Sequence, residues 1–75
     1  MTANENKSAK FKRLATKRVN NAVNTIRLIG NLSNTNNYSF TNEDVNVIFS
    51  AIDEELKLTK ARFALVRKHR KKIEI

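Results

Sequence analysis

The chain has 75 residues, no cysteine and one histidine, which excludes disulfides, thiolate metal sites and imidazole clusters and allows a single small domain. It has no proline and one glycine, a composition that disfavours turn-rich all-β and collagen-like folds and lets long helices continue without interruption. From this composition we expect an all-α protein with neither a metal nor a cofactor. Fifteen Lys and Arg against seven Asp and Glu give a formal net charge of +8, so we also expect an acidic partner.

The first eight residues are polar and show no hydrophobic periodicity. We interpret residues 1–8 as a flexible lead-in, with Ser8 as the N-cap of the helix that follows. This segment lacks the apolar centre of a secretory signal, and no apolar run in the chain reaches the ~18 residues of a membrane span. We therefore expect a cytoplasmic protein without a membrane partner.

A first amphipathic helix is predicted over about residues 9–30. Its apolar residues fall within roughly half of a helical wheel, and Gly30 follows as the left-handed residue that commonly ends a helix. Residues 31–41 are rich in Asn, Ser and Thr, which favours a loop. The polar face of the helix suits solvent and carries Arg13, Asn20, Asn24 and Arg27.

A second helix is predicted over about residues 42–72, followed by a tail at residues 73–75. Thr41 is a suitable N-cap, and Asp44 three residues later completes a capping-box pair. Apolar residues then recur at alternating steps of four and three on two different faces. The first stripe is Val45, Phe49, Ile52, Leu56, Thr59, Phe63 and Val66. The second stripe is Val47, Ala51, Leu58, Ala61 and Leu65, with Glu54 between them.

Two stripes on one helix require two packing partners. A single loop between two helices favours an antiparallel hairpin, in which the first stripe packs against the first helix. One helix cannot cover opposite faces of its neighbour, so we predict a homodimer that buries the second stripe in a four-helix bundle. Two alternatives stay open: the second stripe binds a different protein, or it is a solvated face of a monomer.

Charge divides the chain into two basic blocks around an acidic middle. Residues 1–18 hold six Lys and Arg against one Glu, residues 56–75 hold eight against one Glu, and residues 19–55 hold one Arg against five Asp and Glu. The hairpin would bring both basic blocks to its open end, where they would suit the phosphates of nucleic acid. The predicted contacts are Lys10, Lys12, Arg13, Lys17, Arg18, Arg67, Lys68, Arg70, Lys71 and Lys72.

We therefore expect a small protein that binds the phosphate backbone of DNA or RNA and is not an enzyme. Base reading is not predicted, because the basic blocks lack the Asn- or Gln-with-Arg arrangement of a recognition helix. Asp53, Glu54 and Glu55 are consecutive, so they point to different sides of a helix and cannot act as a paired acid and base. The alternatives are a protein-interaction module that inhibits or adapts a nucleic-acid enzyme, and a solvated basic face without a ligand.

The middle of the chain supplies a further expectation. Residues 27–56, RLIGNLSNTNNYSFTNEDVNVIFSAIDEEL, resemble short basic helical proteins of unassigned role that are carried by bacterial plasmids, phages and other mobile elements. The resemblance supplies no catalytic residues. It implies an accessory protein that acts on DNA, on RNA or on a nucleoprotein enzyme, for example as an anti-defence protein.

Overall fold

The computed structural model describes residues 5–71, and for residues 68–71 it describes the backbone alone. Within this range the chain forms helix α1 (Lys7–Gly30), one turn of 3-10 helix (Asn31–Ser33) and helix α2 (Asn42–Lys71), and no strand. The predicted all-α class is confirmed. The chain divides after residue 39 into two units, of which the first contains α1 and the second contains α2. Residues 1–4 of the predicted lead-in, Lys72 and the predicted tail lie outside the described residues.

Helix α1 begins two residues before the predicted start, and its N-cap is Asn6. The side-chain oxygen of Asn6 accepts a hydrogen bond from the backbone N–H of Ala9 at 2.7 Å, and its carbonyl oxygen accepts one from Lys10 at 3.0 Å. The prediction of Ser8 as the cap is therefore wrong, since Ser8 lies inside the first turn. The physical reason is that an Asn side chain satisfies the free amides of a first turn as well as Ser does, and Asn6 occurs earlier in the chain.

The other end of α1 also differs from the prediction. Gly30 ends the helix, but its φ of −59° and ψ of −29° are right-handed rather than left-handed. The chain continues into the 3-10 turn, where the N–H of Asn31 donates to the carbonyl oxygens of Arg27 and Leu28. This turn satisfies a terminal carbonyl that a left-handed glycine would otherwise serve, so no positive φ is needed.

Asn34 organises the loop between the helices. Its side-chain oxygen accepts a hydrogen bond from the N–H of Asn36 at 3.0 Å, and its carbonyl oxygen accepts from Asn37 at 3.1 Å and from Tyr38 at 3.0 Å. This is the local turn chemistry expected of Asn. The residues that follow, as far as Thr41, are neither helix nor strand.

The predicted capping box of α2 is confirmed. The hydroxyl oxygen of Thr41 accepts a hydrogen bond from the N–H of Asp44 at 3.0 Å, and the carboxylate of Asp44 accepts one from the N–H of Thr41 at 2.9 Å. Glu43 and Asp44 also place negative charge in the first turn, where the helix dipole favours it. The start of α2 is therefore specified by sequence within four residues.

Neither unit forms a buried core of its own. No side chain among residues 5–67 is buried, and the apolar side chains that are half-buried are few. They are Leu14, Ala15 and Ile29 in α1 and Val45 and Ile52 in α2. The hairpin and the four-helix bundle stay predictions.

Candidate nucleic-acid interface

Helix α1 is basic, and most of its positive charge lies in its first half. Its 24 residues contain seven Lys and Arg and no Asp or Glu. All seven side chains are exposed, and they are Lys7, Lys10, Lys12, Arg13, Lys17, Arg18 and Arg27. A helix of this composition is a concentrated source of positive potential.

The positions of these charges are unfavourable for α1 alone. Lys10 lies three residues after Lys7 and three before Arg13, and Lys17 lies four residues after Arg13, so each pair of neighbours repels across one turn. Each such pair costs about 0.2–0.5 kcal/mol. The first turn also holds no acidic residue, and its positive charge opposes the helix dipole. An anionic partner would relieve all of these repulsions.

One acidic side chain approaches this helix from the segment that precedes it. The carboxylate of Glu5 accepts two hydrogen bonds from Arg13, at 2.9 Å from Nε and 3.0 Å from Nη2. The side chain of Glu5 is 15% exposed and that of Arg13 is 49% exposed. The hydrogen bonds from Arg13 lower the pKa of Glu5, and the same bonds raise the pKa of Arg13. Within residues 5–67 this is the one ion pair, so the other six cations of α1 have no acidic partner there.

The helix brings three of the five predicted contacts in the first basic block onto one face. Lys10, Arg13 and Lys17 are separated by three and four residues and therefore share a side of a helix that turns about 100° per residue. Lys12 and Arg18 lie on other sides of α1, and Arg18 falls among its apolar residues. These two can contribute charge but cannot contact the same strand of phosphates as the first three.

The shared face continues beyond the predicted residues. Asn20, Asn24 and Arg27 extend the alternating spacing of three and four, and all three side chains are exposed. The side chains of Asn20 and Asn24 make no hydrogen bond within the part of the chain that the structure describes. We call the set Lys10, Arg13, Lys17, Asn20, Asn24 and Arg27 the polar stripe of α1. Sequence reasoning assigned the Asn residues to solvent, although their spacing from Lys10 was the signal that joins them to the basic residues.

The second predicted block lies at the end of α2. Arg67 is exposed, and residues 68–71 continue the helix, so Lys68, Arg70 and Lys71 belong to its last turn. Lys72 lies outside the described residues. Lys57 and Lys60 lie earlier in the same block, outside the predicted contacts, and are also exposed.

The predicted interface stripe of α2 is exposed along its whole length. The exposed fractions are 63% for Val47, 51% for Leu58 and 58% for Leu65, and Ala51 and Ala61 are exposed as well. In the first stripe Val45, Ile52 and Thr59 are half-buried. The other members of the first stripe are exposed, at 46% for Phe49, 52% for Leu56, 57% for Phe63 and 57% for Val66, so both stripes leave apolar surface free.

The described residues contain neither a metal-binding cluster nor a membrane-spanning helix. No three His, Cys, Asp or Glu side chains there are grouped so that they could hold a metal ion. Neither α1 nor the described part of α2 combines the length and the hydropathy of a membrane-spanning helix.

Comparison of the chain with protein families, with curated proteins and with solved structures finds no match. The interpretation of the interface therefore depends on its own charges and geometry.

Proposed function

We propose that this protein is a small cytoplasmic accessory protein that binds nucleic acid through the phosphate backbone. The observation that carries the proposal is α1, an exposed helix with seven Lys and Arg and no acidic residue. Contact between these cations and phosphates releases condensed counterions, which provides the free energy of binding without any base contact. The resemblance to proteins of bacterial mobile elements is consistent with such a role.

The second part of the proposal is association of two copies. The apolar stripes of α1 and α2 are exposed or half-buried, and burial of one large apolar side chain contributes about 1.5–3 kcal/mol. We propose that closure of an antiparallel hairpin buries the first stripe and that a second copy covers the second stripe. This homodimeric four-helix bundle would place Arg67, Lys68, Arg70, Lys71 and Lys72 beside the first basic block.

Fluorescence anisotropy across a range of salt concentrations tests the binding. We expect the full-length protein to bind duplex or single-stranded probes, with an affinity that falls steeply as salt rises. Substitution of both Lys10→Gln and Lys17→Gln should reduce the salt slope by about 2, because each phosphate contact contributes about 1.

The matched control substitutes two exposed lysines outside the proposed contacts, Lys57→Gln and Lys60→Gln, which change the net charge equally. We expect this variant to retain most of the slope. Equal effects of the two pairs would contradict the assignment to α1. Absence of binding at low salt, or an affinity that does not respond to salt, would overturn the proposed function.

The exposed second stripe of α2 favours a second candidate, a protein-interaction module that inhibits or adapts a nucleic-acid enzyme. In that case the purified protein is a stable monomer, and the stripe docks on a foreign partner. Leu58→Glu would then abolish capture of the partner without changing the helicity of the free protein.

A further inference from the structure

We infer that the polar stripe of α1 reads base edges in the major groove of duplex DNA, with Asn20, Asn24 and Arg27 as the reading residues. This inference rests on the proposed function and deepens it, because phosphate binding alone requires no sequence preference. The basic blocks considered alone predict no base reading. In α1 the basic residues continue along the same face into two amides and an arginine, and this continuation changes the prediction.

The two amides have no structural role that the described residues reveal. Asn20 and Asn24 lie in the middle of α1, where Asn is a poorer helix former than Ala. Their side chains are exposed and bond to no other group in residues 5–67. Asn6 and Asn34 use their side chains to accept backbone hydrogen bonds, whereas Asn42 and Asn46 are as exposed and unbonded as Asn20 and Asn24, so the position on the polar stripe is what distinguishes these two. Asn20 and Asn24 therefore present free donor and acceptor pairs to a ligand.

The chemistry of these side chains matches the edges of bases. An Asn carboxamide can donate to N7 and accept from N6 of adenine in a bidentate pair, and an Arg guanidinium can donate to O6 and N7 of guanine. Asn20 and Arg27 are seven residues apart, or about 10.5 Å along a helix with a rise of ~1.5 Å per residue. That separation equals about three base-pair steps of ~3.4 Å. The three side chains can therefore address one short run of base pairs.

The other half of the stripe suits the edge of the groove. An α-helix with its side chains is about 10–12 Å across and the major groove is about 12 Å wide, so α1 can enter it. A straight helix leaves a curved groove within a few turns and then crosses the phosphate backbone. Lys10, Arg13 and Lys17 lie on that outgoing part of the same face, where cations are required. The stripe therefore carries amides where the helix lies in the groove and cations where the helix crosses the phosphate backbone.

The same geometry selects duplex DNA over RNA. The major groove of an A-form duplex is deep and narrow, so a helix cannot present side chains to its base edges. Single-stranded RNA is recognised by stacking on aromatic side chains, and the polar stripe contains none.

Selection from a duplex library with a randomised centre, followed by sequencing of the bound fraction, tests the inference with the full-length protein. We expect enrichment of a short sequence that contains adenine and guanine. Replacement of one preferred base pair should weaken binding by about 5- to 150-fold, the range for one bidentate contact. The double substitution Asn20→Ala and Asn24→Ala should abolish the preference and retain salt-dependent binding. Because Ala is the better helix former, α1 should stay helical, which circular dichroism checks.

The matched control is Asn46→Ala, which removes an exposed Asn from α2 and should leave the preference intact. Equal, salt-dependent binding of all duplexes would overturn base reading and leave the proposed function standing. A preference that survives the double substitution would overturn the assignment to these residues, and tighter binding of duplex or single-stranded RNA would overturn docking in the DNA groove. Absence of binding to every probe would overturn the proposed function and base reading together.

Discussion

Glu5 limits the positive charge that α1 can offer. It precedes the helix and lies eight residues from Arg13 in sequence, yet its carboxylate holds the Arg13 guanidinium with two hydrogen bonds. A phosphate that binds the Nε and Nη2 edge of Arg13 must displace this carboxylate. The Arg13 side of this ion pair is 49% exposed, so a multivalent anion can reach it and exchange with the carboxylate, whose contribution is reduced by salt.

Glu5→Gln should therefore strengthen the binding of nucleic acid. The substitution removes a negative charge beside the stripe and makes Arg13 available, so we expect higher affinity at low salt and a salt slope larger by about 1. Anisotropy titrations with the same probe at several salt concentrations measure both. Glu55→Gln makes the same change in net charge in the other unit and should give a smaller gain. If the gain persists after Arg13→Gln is added, release of Arg13 is not its cause.

The same pair predicts a dependence on pH. Arg13 lowers the pKa of Glu5 in the folded state, so the pair contributes stability at pH values above the ordinary pKa of Glu. That contribution is lost as the pH falls below the ordinary value and through the lowered pKa of Glu5. Titration of the Glu5 carboxyl carbon by NMR should show this lowered pKa. In the Arg13→Gln variant the pKa should return toward that of a free glutamate, and an unchanged value would contradict the pairing.

At the scale of the element, the two helices begin by different devices. One side chain caps α1, whereas α2 starts with reciprocal bonds between Thr41 and Asp44 and with acidic residues in its first turn. Since neither unit buries side chains of its own to hold its first turn in place, these local bonds carry much of the stability of the helix ends.

Thr41→Ala should therefore fray the start of α2. Loss of an N-cap side chain costs about 0.5–2 kcal/mol, so we expect amide protection at Asp44 to fall by about two- to thirty-fold in hydrogen exchange. Thr41→Ser retains the hydroxyl acceptor and serves as the control. Equal protection in the Ala and Ser variants would show that the Thr41 hydroxyl does not stabilise this turn.

At the scale of the whole molecule, the exposed second stripe of α2 predicts self-association. Light scattering at high protein concentration should give a mass near twice the 8.6 kDa of one chain. Leu58→Glu places a charge in the proposed interface and should return the mass to that of the monomer. Lys57→Gln alters the net charge by the same amount outside the stripe and should leave the dimer intact. A wild-type mass that stays at 8.6 kDa would contradict the homodimer and favour docking on a foreign partner.

The sequence by itself determined the features that depend on neighbours within a turn or two. The two helices, the capping box at Thr41 and the turn chemistry of the Asn-rich loop follow from spacing, propensity and short side-chain reach. The spacing that places the polar stripe on one face of α1 can also be read from the sequence. Local rules misassigned the ends of α1, because Asn6 and Ser8 are both competent caps and a 3-10 turn at Asn31 competes with a left-handed glycine.

What only the tertiary structure decided is which groups meet and how much each is exposed. The bidentate bond between Glu5 and Arg13 joins residues on either side of the helix start, and no pattern of spacing distinguishes Arg13 from the neighbouring cations as its partner. The freedom of Asn20 and Asn24 likewise depends on what lies beside them in space. Periodicity determines which face of a helix a residue occupies. Its hydrogen bonds and its exposed fraction depend instead on which atoms the folded chain places next to it.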